Sequence, residues 1–150
     1  MPYSTIRIAT SASDSPRPRL LIVDDDPLIR ELHALVLNIE GYDVATACDG
    51  AAALERLAVE KFDLVVTDRA MPNLDGASMV LALRTAGSRI PVVMVSGSLT
   101  QAPLPRRVAC EVSAALPKPA RTDEILSAVA HALRGTPRRE SLCQFRRLLE

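Results

Sequence analysis

Aromatic residues are scarce in this sequence, which has no Trp, two Phe and two Tyr. Proteins that bind single-stranded nucleic acid commonly stack its bases on aromatic side chains, so this class is disfavoured. A charge excess is also lacking, because 18 Lys and Arg residues balance 18 Asp and Glu residues. A basic excess is typical of proteins that bind DNA or membrane surfaces. We therefore expect neither direct DNA binding nor membrane association.

Long apolar runs and paired cysteines are lacking as well. No apolar run approaches the roughly 20 residues that span a bilayer, and residues 1–19 lack the apolar segment of a secretory signal. Cys48, Cys110 and Cys143 are odd in number and widely spaced, with no Cys-x-x-Cys pair. This pattern favours reduced thiols over disulfides or a metal site, and therefore a cytoplasmic protein.

The composition divides the 150 residues into three parts. Residues 1–18 end in Ser-Pro-Arg-Pro and are predicted to be a flexible leader. Residues 19–135 alternate apolar runs with helical patterns and are predicted to be one compact domain. Residues 136–150, the tail, form a short amphipathic basic segment.

The tail combines apolar residues at near-helical spacing with four arginines: Leu142, Phe145 and Leu149, with Arg138, Arg139, Arg146 and Arg147. Two interpretations stay open. The tail is either a frayed terminal helix that packs weakly on the domain, or a helix that docks on a partner or on a second copy of the chain.

Five short apolar runs predict five strands, at residues Leu20–Val23, Val44–Ala47, Leu64–Thr67, Ile90–Val95 and Ala114–Leu116. Continuous apolar strands that alternate with helices indicate a parallel sheet covered on both faces. We predict an α/β fold of flavodoxin-like type. It would be a doubly wound five-stranded parallel sheet with strand order 2-1-3-4-5 in a three-layer sandwich.

The first helix has clear boundaries in the sequence. Asp26 can cap its first turn, Pro27 suits its first position, and Gly41 can end it. One apolar stripe runs along it, formed by Leu28, Leu32, Leu35, Val36 and Ile39.

Polar side chains follow four of the predicted strands. Asp24, Asp25 and Asp26 end the first strand, Asp68 the third, Ser96-Gly97 the fourth and Lys118 the fifth. The carboxyl ends of parallel strands meet at one edge of the sheet, so these residues should share a crevice.

Asp24, Asp25 and Asp68 would repel one another there, and a hard divalent cation such as Mg²⁺ would relieve the repulsion. The cation and Lys118 could then hold a phosphoryl group. The hydroxyl of Ser96 and the backbone N–H of Gly97 would add donors. Asp68 would be the nucleophile that forms an acyl phosphate. Each feature alone has an ordinary explanation as a cap, a turn or a loop, but together they favour this site.

The stretches that carry these residues resemble the receiver domains of two-component response regulators, over about residues 19–134. They are Leu20–Pro27, Asp63–Gly76, Val93–Gly97 and Lys118-Pro119. The resemblance implies that Asp68 is the phosphoacceptor and that the Lys118–Pro119 peptide bond is cis.

The resemblance also implies roles for the neighbouring residues. Asp25 and Asp68 would bind Mg²⁺ (or Mn²⁺) through their side chains, Ala70 through its carbonyl and Asp24 through water. Ser96 and Lys118 would hold the phosphoryl oxygens.

A receiver domain is a phosphoacceptor rather than an enzyme acting on a separate substrate. The implied phosphodonor is a phosphohistidine on a sensor histidine kinase or a histidine phosphotransfer protein. The implied output is an unknown downstream protein, and a homodimer is possible. We expect a stand-alone regulator, since the chain leaves no room for an effector domain.

The sequence departs from the family where the phosphorylated state is read out. Ala115 stands where the family usually has the aromatic partner of the Ser96 switch position, and Ala120 replaces an aromatic after Lys-Pro. Pro103 and Pro105 interrupt the segment 100–110, where the fourth helix should lie. A proline inside a helix costs roughly 3 kcal/mol, so we expect that helix to be short, shifted or absent.

Two other functions remain as alternatives. Asp24-Asp25-Asp26 supplies the Asp-x-Asp of a haloacid-dehalogenase-type phosphatase, but Leu28 does not fit that motif and Asp68 would have no role. A phosphorylation-independent interaction module could keep the site as a relic. The complete set of acids, hydroxyl and lysine argues against that alternative.

Overall fold

The computed structural model describes residues 15–97 and 102–135. In this part of the chain, strands and helices alternate from first to last. They are β1 (Arg19–Val23), α1 (Pro27–Glu40), β2 (Asp43–Ala47), α2 (Gly50–Val59), β3 (Leu64–Asp68), α3 (Gly76–Thr85), β4 (Val92–Ser96), α4 (Arg106–Ala109), β5 (Ala114–Pro117) and α5 (Thr122–Arg134). The predicted leader lies almost wholly outside the described residues, and the tail and Cys143 lie entirely outside them.

The strands form one parallel sheet in the order β2-β1-β3-β4-β5. The strand order, the flavodoxin-like fold and the three-layer architecture are confirmed. Successive residues of a strand point to opposite faces, so Leu20 and Ile22 pack under α1 and α5. Leu21 and Val23 pack on the other face, under α2, α3 and α4. The strands need continuous apolar runs because both faces are covered.

The predicted ends of α1 are confirmed. A carboxylate oxygen of Asp26 accepts hydrogen bonds from the backbone N–H groups of Leu28 and Ile29, at 2.9 and 3.5 Å. Pro27 takes the first helical position, and Gly41 ends the helix with φ of 106°. Glycine is suited to this left-handed conformation because it has no Cβ.

The orientation of α1 differs from the usual behaviour of an amphipathic helix, which turns its apolar side to the core. Leu28, Leu32, Leu35 and Ile39 are all exposed, whereas Leu37 is fully buried. These four residues, which are the predicted stripe without the half-buried Val36, are called the apolar stripe from here on. With about 100° per residue, the stripe lies roughly opposite Leu37.

The inward side of α1 carries polar residues that lie at the carboxyl edge of the sheet. Arg30 and His33 are half-buried there, next to the carboxyl end of β1. The guanidinium of Arg30 donates to the backbone carbonyl of Asp24 at 2.7 Å. This use of polar residues inside explains why the largest apolar pattern of α1 does not mark its buried side.

Helix α4 is reduced to the four residues Arg106–Ala109, so the expectation of a short fourth helix is confirmed. Pro105 occupies the N-cap position, and no side chain caps the helix by a hydrogen bond. Val108 is the buried residue of this turn and packs in the core on the α3 side. Among the described residues, no helix is long and apolar enough to cross a bilayer.

The orientation of α1 predicts unequal effects of truncating two leucines of that helix. Leu37→Ala should lower the free energy of unfolding by about 2–5 kcal/mol, because it removes a fully buried side chain. Leu28→Ala should lower it by less than about 1 kcal/mol, since Leu28 is 75% exposed. Urea denaturation of both variants measures the difference. Equal losses would contradict the orientation described here.

Candidate functional site

The carboxyl edge of the sheet brings the predicted residues together. Asp68 ends β3, and Asp24 follows β1 directly. The Lys118 ammonium lies 2.8 Å from Oδ2 of Asp68 and 3.8 Å from Oδ2 of Asp24. The backbone N–H of Lys118 donates to the carbonyl of Ser96 at 2.9 Å, which joins the ends of β4 and β5. The four strand ends therefore form one site, as their positions in the sequence predict.

Three carboxylates of this site form the acidic cluster, Asp24, Asp25 and Asp68. One oxygen from each lies within 4.8 Å of the others. Asp24 and Asp68 are buried, whereas Asp25 is exposed. Hard oxygen ligands that converge from one side, with the other side open to water, suit Mg²⁺, which retains several waters in protein sites. The donor set therefore fits a divalent cation.

The charges of the site are unbalanced. Burial raises the pKa of the Asp24 carboxyl, and the neighbouring Asp68 and Asp25 raise it further. The backbone N–H of Asp26, which donates to Asp24 Oδ1 at 2.9 Å, and Lys118 act in the opposite direction. Lys118 supplies one positive charge against three carboxylates.

The Lys118 ammonium is held by its acidic neighbours. Burial alone would lower its pKa, but the hydrogen bond and ion pair with Asp68, together with Asp24 and Asp25, outweigh burial and raise it. Lys118 is therefore charged at neutral pH. Burial lowers the pKa of the nearby His33 on α1, which disfavours the charged form of its imidazole.

The loop after Asp68 is fixed by backbone and side-chain contacts. Gly76 approaches the carbonyl of Asp68 so closely that an added Cβ would lie 2.2 Å from its oxygen. The Asn73 side chain donates to Oδ2 of Asp49 at 2.7 Å. The N–H of Gly50 donates to the carbonyl of Leu74 at 3.1 Å. The loop is thus attached to the first turn of α2.

Ala70 lies beside Asp68, while Ser96 ends β4 and Gly97 follows it. The backbone N–H of Ala70 donates to Oδ1 of Asp68 at 3.3 Å. Ser96 is buried and Gly97 is exposed. A Cβ on Gly97 would make only an ordinary contact, 3.9 Å from Cβ of Lys118. Packing therefore does not demand glycine at this position.

The described residues contain no Phe, Tyr or Trp at the carboxyl edge of the sheet. Ala115 lies in β5 and is exposed. Tyr42 and Phe62 precede β2 and β3, at the opposite edge. The Lys118–Pro119 peptide bond is cis, in agreement with the resemblance.

Sequence reasoning missed the supporting residues of the site. Arg30 and His33 lie on the inward side of α1, whereas the apolar stripe suggests that the opposite side of this helix is buried. The contact of Asn73 with Asp49 joins two loops that are far apart in sequence. The sequence offered one signal, the residue type itself: Asn tolerates a positive φ better than most residues, and Asn73 adopts φ of 66°. Gly76 could be recognised only once the turn around Asp68 was known.

Comparison with known proteins gives a consistent set of relatives. A family model described as response regulator receiver domain matches residues 20–130. Response regulator MprA of Mycobacterium ulcerans is 34% identical over 118 residues, which cover 79% of this chain and 51% of that protein. The chain thus spans about half the length of the curated regulators it matches. Sensor protein EvgS of Escherichia coli is 35% identical over 104 residues, 69% of this chain and 9% of EvgS.

Solved structures agree with this set. The receiver domain of Francisella response regulator 1452 superposes with a TM-score of 0.75 at 29% identity, covering 81% of this chain and all of that one. Chemotaxis response regulator CheY4 of Vibrio cholerae superposes with a TM-score of 0.69 at 27% identity, covering 78% of this chain and 99% of that one. Response regulator TrrA of Thermotoga maritima, solved in complex with Mg²⁺-BeF, superposes with a TM-score of 0.68 at 26% identity. The match covers 77% of this chain and 98% of that one.

The close approach of Gly76 to Asp68 predicts a strong effect of one methyl group. Gly76→Ala should lower the free energy of unfolding by about 1–3 kcal/mol, because backbone or loop must move to admit the Cβ. Gly97→Ala is the matched control and should change it by less than about 0.5 kcal/mol. Chemical denaturation measures both. A tolerated Gly76→Ala would contradict the described turn.

The raised pKa of Asp24 predicts that neutralising it stabilises the cation-free protein. An acid whose pKa is higher in the folded than in the unfolded chain favours folding only when protonated, so its charged form destabilises the fold. In chelator at neutral pH, Asp24→Asn should therefore raise the free energy of unfolding, because it removes a buried negative charge. This gain in the stability of Asp24→Asn over the wild type should shrink as the pH falls through the raised pKa of Asp24.

Denaturation with and without Mg²⁺ tests whether the charge of Asp24 contributes to cation binding. Added Mg²⁺ should stabilise the wild type more than Asp24→Asn, because a ligand that binds the folded state stabilises it. A lower stability of Asp24→Asn in chelator at neutral pH would contradict the assigned cause.

Proposed function

Because this chain belongs to the family of response regulator receiver domains, we propose that it accepts a phosphoryl group on Asp68 and signals through the conformational change that follows. One observation carries this proposal: the buried Asp68 carboxylate lies 2.8 Å from the Lys118 ammonium and within the acidic cluster. A carboxylate nucleophile, a cation site and a fixed positive charge are the parts that phosphoryl transfer to aspartate requires.

The phosphoryl donor in this proposal is a phosphohistidine on a sensor histidine kinase or a histidine phosphotransfer protein. An oxygen of Asp68 attacks phosphorus, so an O–P bond forms while the N–P bond breaks. The electron pair of the broken bond returns to the imidazole of the donor. A carboxylate nucleophile carries no proton to be removed, so this step needs no general base.

Asp25 and Asp68 would hold Mg²⁺ (or Mn²⁺) through their carboxylates, Ala70 through its carbonyl and Asp24 through water. A bound divalent cation would supply charge neutralisation for the phosphoryl oxygens. Lys118 would exchange its contact with Asp68 for one with a phosphoryl oxygen. The exposed backbone of Gly97 and the hydroxyl of Ser96, at the end of β4, are the further donors we assign to those oxygens.

The protein acts in this proposal as a phosphoacceptor and not as an enzyme on a separate substrate. Hydrolysis of its acyl phosphate by water would return the carboxylate and end the signal. We place it in the cytoplasm, with a downstream protein as its output. The route of readout must differ from the usual one, because Ala115 supplies no ring to follow Ser96.

The phosphatase alternative is less well supported by the geometry. In an Asp-x-Asp motif, Asp26 would be the second acid and would face the reaction. Its carboxylate instead accepts the backbone N–H groups of Leu28 and Ile29 as the cap of α1. The acid nearest to Lys118 is Asp68, which that motif does not include.

The proposal predicts covalent modification at one carboxylate. Incubation with Mg²⁺ and acetyl phosphate should add the mass of one phosphoryl group to the wild type and none to Asp68→Asn. Intact-protein mass spectrometry measures the change. Chelation of Mg²⁺ should reduce the yield at least tenfold, since the repulsion within the acidic cluster would oppose the incoming phosphoryl group.

Asp75→Asn is the matched control for this experiment. Asp75 caps α3 through the N–H of Ser78, and Asn caps helices about as well as Asp. This variant loses one carboxylate close to the site and should still be modified. An unmodified wild type, or modification that persists in Asp68→Asn, would overturn the proposal.

A further inference from the structure

The outward side of α1 is apolar over most of its length. The exposed fractions of the apolar stripe are 75% for Leu28, 50% for Leu32, 57% for Leu35 and 76% for Ile39. An outward helix surface normally carries polar residues. A continuous exposed apolar patch marks a surface that another element covers. No segment within residues 15–97 and 102–135 covers this one.

Helix α5 leads the chain to this surface. α1 and α5 contact each other on the same face of the sheet. Ala132 and Leu133, in the last turn of α5, pack in the same core cluster as Leu37 and Tyr42 at the end of α1. α5 ends at Arg134. The tail therefore begins close to the last turn of α1.

The tail has the length and the pattern that this surface requires. Leu142, Phe145 and Leu149 recur at near-helical spacing. A helix over 138–150 would measure about 20 Å, and the 14 residues of α1 span about 21 Å. A tail that turns back from the end of α1 would run antiparallel to it and match it in length.

The charges on the two surfaces are complementary. Glu31 is exposed on α1 beside the stripe, and Glu40 is exposed at the end of α1, close to where the tail begins. The tail carries four arginines and two glutamates, Arg138, Arg139, Arg146 and Arg147 with Glu140 and Glu150. Opposite charges around an apolar contact favour one orientation of the two helices.

We propose that the tail forms an amphipathic helix and packs on the apolar stripe of α1 in the same chain. The tail is covalently joined to α5, so its local concentration at α1 exceeds that of a second copy. Burial of apolar side chains on both helices drives the contact. The contact does not depend on phosphoryl transfer, because the stripe contains no residue of the acidic cluster.

Cross-linking of the full-length chain tests this contact. Cys48, Cys110 and Cys143 are first replaced by Ser, and Ser141→Cys places a single thiol at the start of the proposed helix. Asn38→Cys then adds a thiol next to the stripe, in the last turns of α1. Glu55→Cys on the exposed side of α2 is the matched control. A short bismaleimide is added at low protein concentration.

The pair 38–141 should form a cross-linked monomer at least tenfold faster than the pair 55–141, at a rate independent of protein concentration. Phe145→Asp should slow the 38–141 reaction at least tenfold. Equal rates for the two pairs would overturn the proposal. So would products that join two chains, which would assign the stripe to a second copy, and so would a rate unaffected by Phe145→Asp.

Discussion

Repulsion among three carboxylates at one edge of the sheet is the constraint on which the rest of the structure depends. Asp24 and Asp68 are buried, where each negative charge interacts more strongly than it would in water. The fold keeps them together because strands β1 and β3 are neighbours and both end there. Lys118 offsets part of the charge, and the open side next to Asp25 leaves room for a cation. The fold thus carries an unfavourable interaction that a ligand can relieve.

The sequence predicts this edge well because strand ends are easy to recognise. Continuous apolar runs place the strands, and the parallel arrangement puts Asp24, Asp68, Ser96 and Lys118 at the same end. Local rules also suffice for the ends of α1, where Asp26 and Gly41 act within one turn. The short α4 follows from its prolines. Each of these inferences uses information from within a few residues of the position concerned.

Features that depend on tertiary structure could not be predicted in the same way. The apolar stripe of α1 marks a helix correctly, but its largest apolar pattern faces outward. The inner side mixes Leu37 with Arg30 and His33, and only the position of the β1 end explains why polar residues belong there. The approach of Gly76 to Asp68 similarly depends on how the loop turns back.

The attachment of the Asp68 loop to α2 has a consequence for reactivity. Asn73 and Gly50 link the loop to an ordered helix end, so the conformational entropy of that segment is already lost when the domain folds. Asp68 ends β3 immediately before this ordered segment, and a group that is held in place in advance needs little reorganisation when a reactant arrives. The carboxylate of Asp68 is in this sense preorganised. In the proposed phosphoryl transfer, binding energy from the donor would therefore not be consumed in ordering the loop and would act on the reacting atoms.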